Sequence, residues 1–239
     1  MRGKVLFFAL ASAIASPVFA HGEGDWFVRA GLANVSPGSG SDGIAVPALS
    51  VPPIAGTEAS ADSNTQLGLT VNYMFTNKIG VELLASTPFS HDVTADLNGY
   101  SAGLSVFAGD TKQLPPTISA VYYPMGDTGN AFQPYVGLGL NLTIFFSEEA
   151  SADLEALTGT LAGASGPVPL EMKLDNSVGV AAQAGFDYTL QDKWFVNAAV
   201  RYIKIETKGT FTSALGETIT VDNVSIDPLV YQLTVGYSF

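Results

Sequence analysis

The chain has 239 residues, of which 22 are acidic and 10 basic, and its net charge is −12. This balance excludes a nucleic-acid-binding protein, because phosphate groups require a basic patch. Cysteine is absent, which excludes disulfide bonds, thiolate catalysis and cysteine-ligated metal sites.

The first twenty residues have the pattern of a secretory signal peptide. Arg2 and Lys4 precede an apolar run over residues 5–15, and residues 18–20 place small side chains where a signal peptidase requires them. We therefore predict that residues 1–20 are removed and that residues 21–239 form a single domain. The mature chain then has 8 basic and 22 acidic residues, a net charge of −14. As the new terminal residue, His21 is expected to be disordered rather than to bind a metal.

Eight later segments alternate apolar and polar residues, the pattern of a strand with one apolar face. In chain order they are residues 26–35, 64–75, 79–85, 114–124, 132–146, 176–190, 194–207 and 229–239. Three short turns join them at residues 76–78, around Gly126 and Gly129, and at residues 191–193. Four long segments, at residues 36–63, 90–113, 147–175 and before the last strand, alternate with these turns. The prolines of the first long segment argue against regular structure there.

The high hydrophobic content and the predicted signal peptide together indicate a membrane protein that crosses the bilayer with strands. Hydrophobic residues make up 47% of the chain, yet no segment after residue 20 reaches the roughly 18 continuous apolar residues of a membrane helix. We predict an all-β fold: an eight-stranded antiparallel transmembrane β-barrel in the Gram-negative outer membrane. Its three short turns lie in the periplasm and its four long loops are extracellular.

The heights of the outward aromatic residues agree with a membrane barrel. A soluble β-sandwich has no reason to sort them by height, whereas a membrane barrel carries aromatic girdles at both interfaces. The predicted periplasmic girdle contains Trp26, Tyr73, Phe75, Tyr122, Phe132, Tyr188, Trp194, Tyr237 and Phe239. The predicted outer girdle contains Phe89, Phe146 and Tyr202.

The inward faces predict a lumen that is polar near the periplasm and apolar above. Buried charges persist only when they are paired, so we expect a polar plug. Its predicted members are Arg29, Asn72, Glu82, Gln183, Asp187 and Arg201. The predicted channel lining towards the outside is Val35, Leu84, Phe145, Ile203 and Val230. An apolar solute would meet the plug as a barrier and leave sideways into lipid.

Glycine and proline in the strands each allow two interpretations. The inward glycines either relieve crowding in a tightly curved sheet or leave room for a ligand or a narrow tunnel. Four prolines, Pro88, Pro115, Pro116 and Pro228, remove ladder donors from the outer halves of three strands. They mark either simple bulges at the rim, which are common there, or a lateral window.

Several motifs resemble those of the OmpW family of small outer-membrane barrels. They are the sequences NTQLGLT from residue 64, IGVELLA from 79, TPF from 87, LPPT from 114, PYVG from 134 and VGYSF from 235. The resemblance implies an eight-stranded barrel whose hydrophobic channel admits small apolar molecules, with lateral release. The long first and third loops depart from the family pattern, which leaves the identity of the solute open.

Two other function classes remain as alternatives. A lipid A-modifying enzyme would use a rim histidine and a serine nucleophile, which Ser90-His91-Asp92 superficially provides. Successive side chains of an extended segment point to opposite faces, however, and His91 is expected to be a solvated loop residue. A structural or receptor barrel with a filled lumen is the other alternative. The pattern favours a non-enzymatic channel without catalytic residue, cofactor or metal.

The last strand ends on a bare aromatic residue, Phe239, with Tyr237 two positions earlier. This ending resembles the signal that the outer-membrane insertion machinery reads, so we expect that machinery as a partner. The other expected partners are outer-membrane lipid, lipopolysaccharide and a small hydrophobic ligand.

Overall fold

A computed structural model describes residues 21–38, 40–46, 50–191 and 193–239. The predicted signal peptide lies outside the described residues. Among these residues, no helix is both long and apolar enough to cross a membrane.

The described chain contains fourteen strands and one helix. Eight strands form the barrel: β1 (Trp26–Ser36), β3 (Asn64–Met74), β4 (Ile79–Ser86), β7 (Thr117–Tyr122), β8 (Phe132–Ala150), β10 (Ser177–Gln191), β11 (Trp194–Ile203) and β14 (Leu229–Ser238). The other elements are β2 (Glu58–Ala61), β5 (Phe89–Asp96), β6 (Ser105–Leu114), α1 (Ala152–Leu161), β9 (Leu170–Leu174), β12 (Glu206–Ser213) and β13 (Thr218–Ser225).

Pairing of neighbouring strands closes the barrel. The antiparallel order runs β1–β3–β4–β7–β8–β10–β11–β14, and β14 pairs back onto β1 with Arg29 opposite Gly236. Closure satisfies the backbone groups that an open edge would expose to lipid. The predicted eight-stranded antiparallel barrel is confirmed.

The outward face of the barrel is an apolar belt bounded by aromatic residues. Leu138, Val178 and Leu233 are 73%, 76% and 65% exposed, which fits side chains that face lipid rather than water. At the periplasmic end Trp26 packs on Tyr73 and Trp194 on Tyr237, with ring centroids 4.8 and 4.9 Å apart. These contacts form part of the predicted periplasmic girdle.

Phe89 was predicted in the outer girdle, and this placement is wrong. Its side chain is buried inside the barrel, only 2% exposed. The pairing register explains the inversion: Leu84 opposes Thr117, but five residues later Phe89 opposes Gln113, only four residues earlier on the partner. The extra residue at Thr87–Pro88 exchanges the inward and outward faces, as a bulge does.

The long extracellular segments carry regular structure that the alternation pattern did not predict. β5 and β6 continue the barrel hairpin above the membrane, with β2 on the outer edge. β9, β12 and β13 form a separate three-stranded sheet. In the third segment α1 begins after Ser151, whose hydroxyl accepts a hydrogen bond from the Leu154 amide at 3.0 Å, an N-cap contact.

Three clusters of buried apolar residues lie at successive heights. The lower cluster consists of Phe27, Met74, Val121, Tyr123, Tyr135 and Phe195. The upper cluster consists of Ala33, Val35, Phe89, Phe145, Ala181, Ile203, Ile205, Ile226 and Val230. The outer cluster, under the extracellular cap, consists of Ala95, Ala108, Leu154, Met172 and Phe211. A polar layer separates the lower cluster from the upper one.

Candidate functional site

The polar layer is a connected network of ion pairs that crosses the lumen. Arg29 on β1 is bidentate to Asp187 on β10, with its Nε 3.0 Å from Oδ1 and its Nη2 2.7 Å from Oδ2. Its Nη1 donates to Glu82 Oε2 on β4 at 2.6 Å. Arg201 on β11 donates to the other oxygen of Glu82 at 2.5 Å and also to Gln183 Oε1. All five side chains are at most 6% exposed.

This network balances its own charge. Two guanidinium groups, of Arg29 and Arg201, face two carboxylates, of Glu82 and Asp187. Each carboxylate oxygen accepts at least one hydrogen bond, and pairing of this kind offsets the cost of burying ions. Among the described atoms, Arg201 Nη1 is buried without a hydrogen-bond partner. Five of the six predicted plug residues are therefore joined across the lumen.

Asn72 is the predicted plug residue that the structure leaves outside this network. It pairs with Glu82 in the strand register, as predicted, and it is buried. Its amide nitrogen nevertheless donates to Thr70 Oγ1 at 3.1 Å, and its Oδ1 has no partner among the described atoms.

The lower cluster supports the network from the periplasmic side and was missed by the sequence reasoning. The Arg29 guanidinium carbon lies 4.9 Å from the centre of the Tyr135 ring and 5.0 Å from that of Phe27. Tyr123 accepts from Arg29 and donates to Asp187 at 3.1 Å. The inward position of Phe27 and Tyr135 in their strands was the available signal.

The expectation of a disordered His21 is wrong. Its Nε2 lies 2.9 Å from Asp187 Oδ2, and its ring stacks on Phe27 with centroids 3.8 Å apart. Burial of the ring and the hydrogen bond to a buried carboxylate hold the residue under the network. A terminal position alone gave no sign of this contact.

The upper cluster brings together four of the five predicted channel-lining residues. Val35, Phe145, Ile203 and Val230 belong to it, and each is at most 7% exposed. Leu84 is also buried but lies outside this cluster, opposite Thr70 and Thr117 in the register. The apolar upper lumen above a polar layer is thus present in the structure.

At several inward glycines, the space that a side chain would take is already filled by neighbouring residues. A Cβ at Gly236 would lie 2.1 Å from the Phe195 ring, and one at Gly185 would lie 2.8 Å from the Tyr135 hydroxyl. At these two positions glycine makes room for a large aromatic side chain, so the crowding interpretation applies there.

Pro88 lies beside a gap in the backbone ladder of the barrel. Pairing of β3 with β4 ends at Gly68 and Ser86, followed by one bond from the Thr87 amide to the Leu67 carbonyl at 2.9 Å. The next backbone bond runs from the Asp62 amide to the Asp92 carbonyl at 3.2 Å. Between these two bonds no backbone hydrogen bond joins residues 63–66 to residues 88–91, all of which the structure describes.

Near the other three prolines, backbone hydrogen bonds still join the neighbouring strands. The Pro116 carbonyl accepts from the Leu142 amide at 3.0 Å, and the Pro228 carbonyl accepts from the Ile203 amide at 3.2 Å. Pro115 is buried on the inward side. The structure therefore separates Pro88 from Pro115, Pro116 and Pro228, which the sequence grouped as either rim bulges or a candidate lateral window.

Two neighbouring spaces lie above the upper cluster. The inner cavity, about 60 Å³, has Phe145 and Ile226 of that cluster in its wall, together with His91 and Gln113. The outer cleft, about 380 Å³, lies against α1 and the extracellular strands. Four residues line both spaces: Ala59, Val93, Phe211 and Val221. These four residues form the wall between the inner cavity and the outer cleft, and both spaces are mainly apolar.

A sequence model of the OmpW family matches residues 22–239, which is the whole described barrel with its cap. The chain belongs to the OmpW family. Outer membrane protein W of Vibrio cholerae is 44% identical over 240 residues, with 100% of both chains covered. The OmpW-family barrel is thus a protein of the Gram-negative outer membrane.

Solved structures agree with this assignment. The crystal structure of the outer membrane protein OprG from Pseudomonas aeruginosa is similar with a TM-score of 0.76 and 42% identity, covering 92% of this chain and 97% of OprG. The outer membrane protein AlkL, solved in DMPC lipid bilayers, is similar with a TM-score of 0.60 and 20% identity over 99% and 97% of the two chains. The AlkL similarity shows the fold alone.

His91 in this OmpW-family barrel is not the solvated loop residue that was predicted. It points into the inner cavity from β5, beyond the membrane-spanning strand β4, and is only 3% exposed. Its Nδ1 lies 2.7 Å from the Asp62 carbonyl oxygen and its Nε2 lies 2.9 Å from Gln113 Nε2. No serine hydroxyl is among these contacts. In the described residues no group of three His, Asp or Glu side chains is placed to bind a metal ion.

Proposed function

We propose that this OmpW-family barrel takes up small hydrophobic molecules from outside and releases them sideways into the outer membrane. The observation that carries the proposal is the order of layers along the lumen. An apolar cleft, an apolar cavity and an apolar cluster lie above a charged network. A solute that fits the upper layers gains nothing by entering the lower one.

The charged network supports a lateral rather than an axial exit. To pass it, an apolar solute would have to separate Arg29 from Glu82 or Arg201 from Glu82, and each pair is hydrogen-bonded and buried. Breaking a buried pair costs about 3–5 kcal/mol. Moving the same solute from the apolar cavity into lipid exchanges one apolar surrounding for another and separates no ion pair. The sideways path is therefore favoured.

We propose that the solute leaves the barrel through the gap beside Pro88. Residues 63–66 and 88–91 face each other there without backbone hydrogen bonds, and His91 belongs both to this gap and to the inner cavity. Proline lacks the donor that a ladder bond would need. The gap lies at the upper end of the membrane-spanning wall, between the end of β4 and the start of β5, so a solute that leaves the inner cavity there passes only side chains and reaches the outer edge of the membrane.

Uptake can be measured in a deletion strain that carries the gene on a plasmid and grows on a dilute alkane. We expect wild-type protein to restore uptake. Unchanged uptake on deletion, with other porins normally expressed, would contradict the proposal.

Lateral release can be separated from uptake by closing the gap. The chain has no cysteine, so a Thr65→Cys/Pro88→Cys variant can be bridged specifically with a short bis-maleimide. The matched control is Leu32→Cys/Leu233→Cys, which bridges two outward residues that already pair between β1 and β14. We expect bridging to abolish uptake only in the first variant. Equal uptake by both bridged variants would contradict lateral release.

The proposal includes two further points. The relatives that match the chain are outer-membrane barrel proteins, and we propose a channel rather than an enzyme. An unaltered lipid A profile in a His91→Ala strain is expected. We also propose that the insertion machinery recognises Phe239 and that lipid and lipopolysaccharide surround the belt.

A further inference from the structure

The inner cavity carries a polar group of residues within a mostly apolar wall. His91 on β5 and Thr111 and Gln113 on β6 form this group, and each is at most 3% exposed. The wall also contains Phe145, Met172 and Leu174, and most of its surface is apolar. A mainly apolar space with a small polar group in its wall fits a molecule with a short polar head on an apolar body.

The hydrogen bonds of His91 fix which of its nitrogens carries the proton. The Asp62 carbonyl oxygen, 2.7 Å from Nδ1, can only accept, so Nδ1 donates. Burial lowers the pKa of His91 below its ordinary value, although Asp62 and Asp92 oppose that shift. The other residues of the cavity wall are uncharged. At neutral pH His91 is therefore neutral, and Nε2 is an acceptor.

This tautomer sets the orientation of Gln113. Only the amide nitrogen of Gln113 can donate to an unprotonated Nε2, at the observed 2.9 Å. The amide oxygen Oε1 consequently faces away from His91. It is buried and has no hydrogen-bond partner among the described residues. A buried acceptor without a partner is unfavourable, and such groups are rare in folded proteins.

We infer that the inner cavity binds amphiphiles whose head group is a hydrogen-bond donor, of which a primary alcohol is the simplest. The hydroxyl donates to Gln113 Oε1, and the alkyl chain lies against the apolar side chains of the cavity wall, among them Phe145, Met172 and Leu174. This inference rests on the proposed uptake function, since it names the solute class for the same path.

The same geometry discriminates against related molecules. An alkane leaves the Gln113 oxygen without a partner, and an ether brings only another acceptor. A carboxylate brings acceptors and a negative charge to the part of the wall near Asp62, whose carboxylate lies 3.8 Å from His91 Nδ1. A donor head on an apolar chain is the combination that satisfies both parts of the cavity wall.

Binding can be tested with the full barrel in lipid nanodiscs, using two isomeric probes. The probes are 1-octanol, which donates, and heptyl methyl ether, which only accepts. Empty nanodiscs correct for partition into lipid, and the shifts of the backbone amides of β5 and β6, which every variant retains, report binding by NMR. Octanol can form one hydrogen bond to Gln113 Oε1 that the ether cannot form, so we expect octanol to bind about tenfold more tightly.

Gln113→Met removes the acceptor with little change in volume, and we expect it to abolish the tenfold preference. Gln133→Met is the matched control, because Gln133 is also a buried inward glutamine but lies at the periplasmic end; it should keep the preference. The electrophoretic mobility of each unheated variant shows whether the barrel has folded. If Gln113→Met does not fold, Gln113→Leu takes its place. The preference of Gln113→Leu is read in the same way.

The outcomes separate this inference from the proposed function. Equal binding of octanol and ether to the wild type, or a preference that survives loss of Gln113, overturns the inference while alkane uptake still stands. Failure of both probes to bind, together with unchanged alkane uptake on deletion, overturns both.

Discussion

Replacing Glu82 by Gln would remove one charge from the centre of the lumen network while keeping the length of the side chain. Glu82 joins Arg29 at 2.6 Å and Arg201 at 2.5 Å, and all three side chains are 1% exposed. The substitution leaves two guanidinium groups with a single carboxylate, that of Asp187. Loss of one partner from a buried ion pair costs about 3–5 kcal/mol, and a glutamine oxygen can still accept one hydrogen bond. We therefore expect the free energy of unfolding to fall by about 3 kcal/mol.

Urea unfolding of the barrel in lipid vesicles measures this loss. Trp26 and Trp194, both about half exposed at the periplasmic girdle, report the transition by fluorescence. With a slope of about 2 kcal/mol per molar urea, the midpoint should fall by about 1.5 M. The matched control is Glu206→Gln, because Glu206 forms a 2.7 Å ion pair with Lys204 on the exposed surface; exposed pairs contribute little.

A double-mutant cycle with Arg201→Met tests whether the two residues act together. The double variant should lose less stability than the two single losses added, with a coupling energy of about 1–3 kcal/mol. Strictly additive losses would show that Glu82 and Arg201 do not stabilise the barrel together. A Glu82→Gln midpoint no lower than that of Glu206→Gln would show that the buried network contributes no more stability than an exposed ion pair.

Three further outcomes are expected. Arg29→Ala/Glu82→Ala removes two side chains that cross the lumen, so ion conductance in a planar bilayer should rise above wild type; no change would mean that another group closes the barrel. Deletion of Phe239 should reduce the amount of barrel in outer-membrane fractions more than the uptake per assembled molecule, and an equal loss of both would contradict a role in assembly. Lowering the pH below the His91 pKa, which burial has already lowered, should abolish the preference for octanol over its isomeric ether. Protonated Nε2 donates to Gln113 Oε1 and occupies the acceptor. With the protonation of His91 followed by NMR of its ring, a preference that is unchanged once the ring is protonated would contradict this tautomer assignment.

The strands could be predicted because lipid imposes a strict period of two on the chain. Outside the lumen every second residue must be apolar, and inside it a polar or small residue is allowed. The segment predicted at residues 132–146 lies within β8 (Phe132–Ala150), and that predicted at residues 26–35 lies within β1 (Trp26–Ser36). The pairing of Gln183 with Arg201 followed from the short turn between their strands and is confirmed.

The period of two also explains where the prediction went wrong. A single extra residue exchanges the two faces, so the bulge at Thr87–Pro88 reversed Phe89 without any change in composition. His91 was missed because residues 90–113 were predicted to be a loop, whereas β5 and β6 form there. Above the membrane the constraint from lipid ends, and α1 and the extracellular strands depend on contacts between distant segments. One example is the Ala45 amide bound to the Thr220 carbonyl at 2.9 Å.

The polar plug was predictable as a set of residues but not as a geometry. Inward charged residues near one end of a barrel must pair, and this identified Arg29, Glu82, Asp187 and Arg201. The sequence contains no signal for which carboxylate each arginine meets, because the partners come from strands up to 158 residues apart. His21 was missed for the same reason: its hydrogen bond to Asp187 spans 166 residues.

The wide separation of these partners links the lumen network to the completeness of the barrel. Arg29 lies on the first strand, and its bidentate partner Asp187 lies on the sixth of the eight barrel strands. A partial sheet that contains only one of these two strands leaves a buried charge with hydrogen bonds unmade, which is costly next to lipid. All the ion pairs form only when every strand that contributes to them is present. The network thus makes incompletely assembled barrels unstable relative to complete ones, so closure is cooperative rather than gradual.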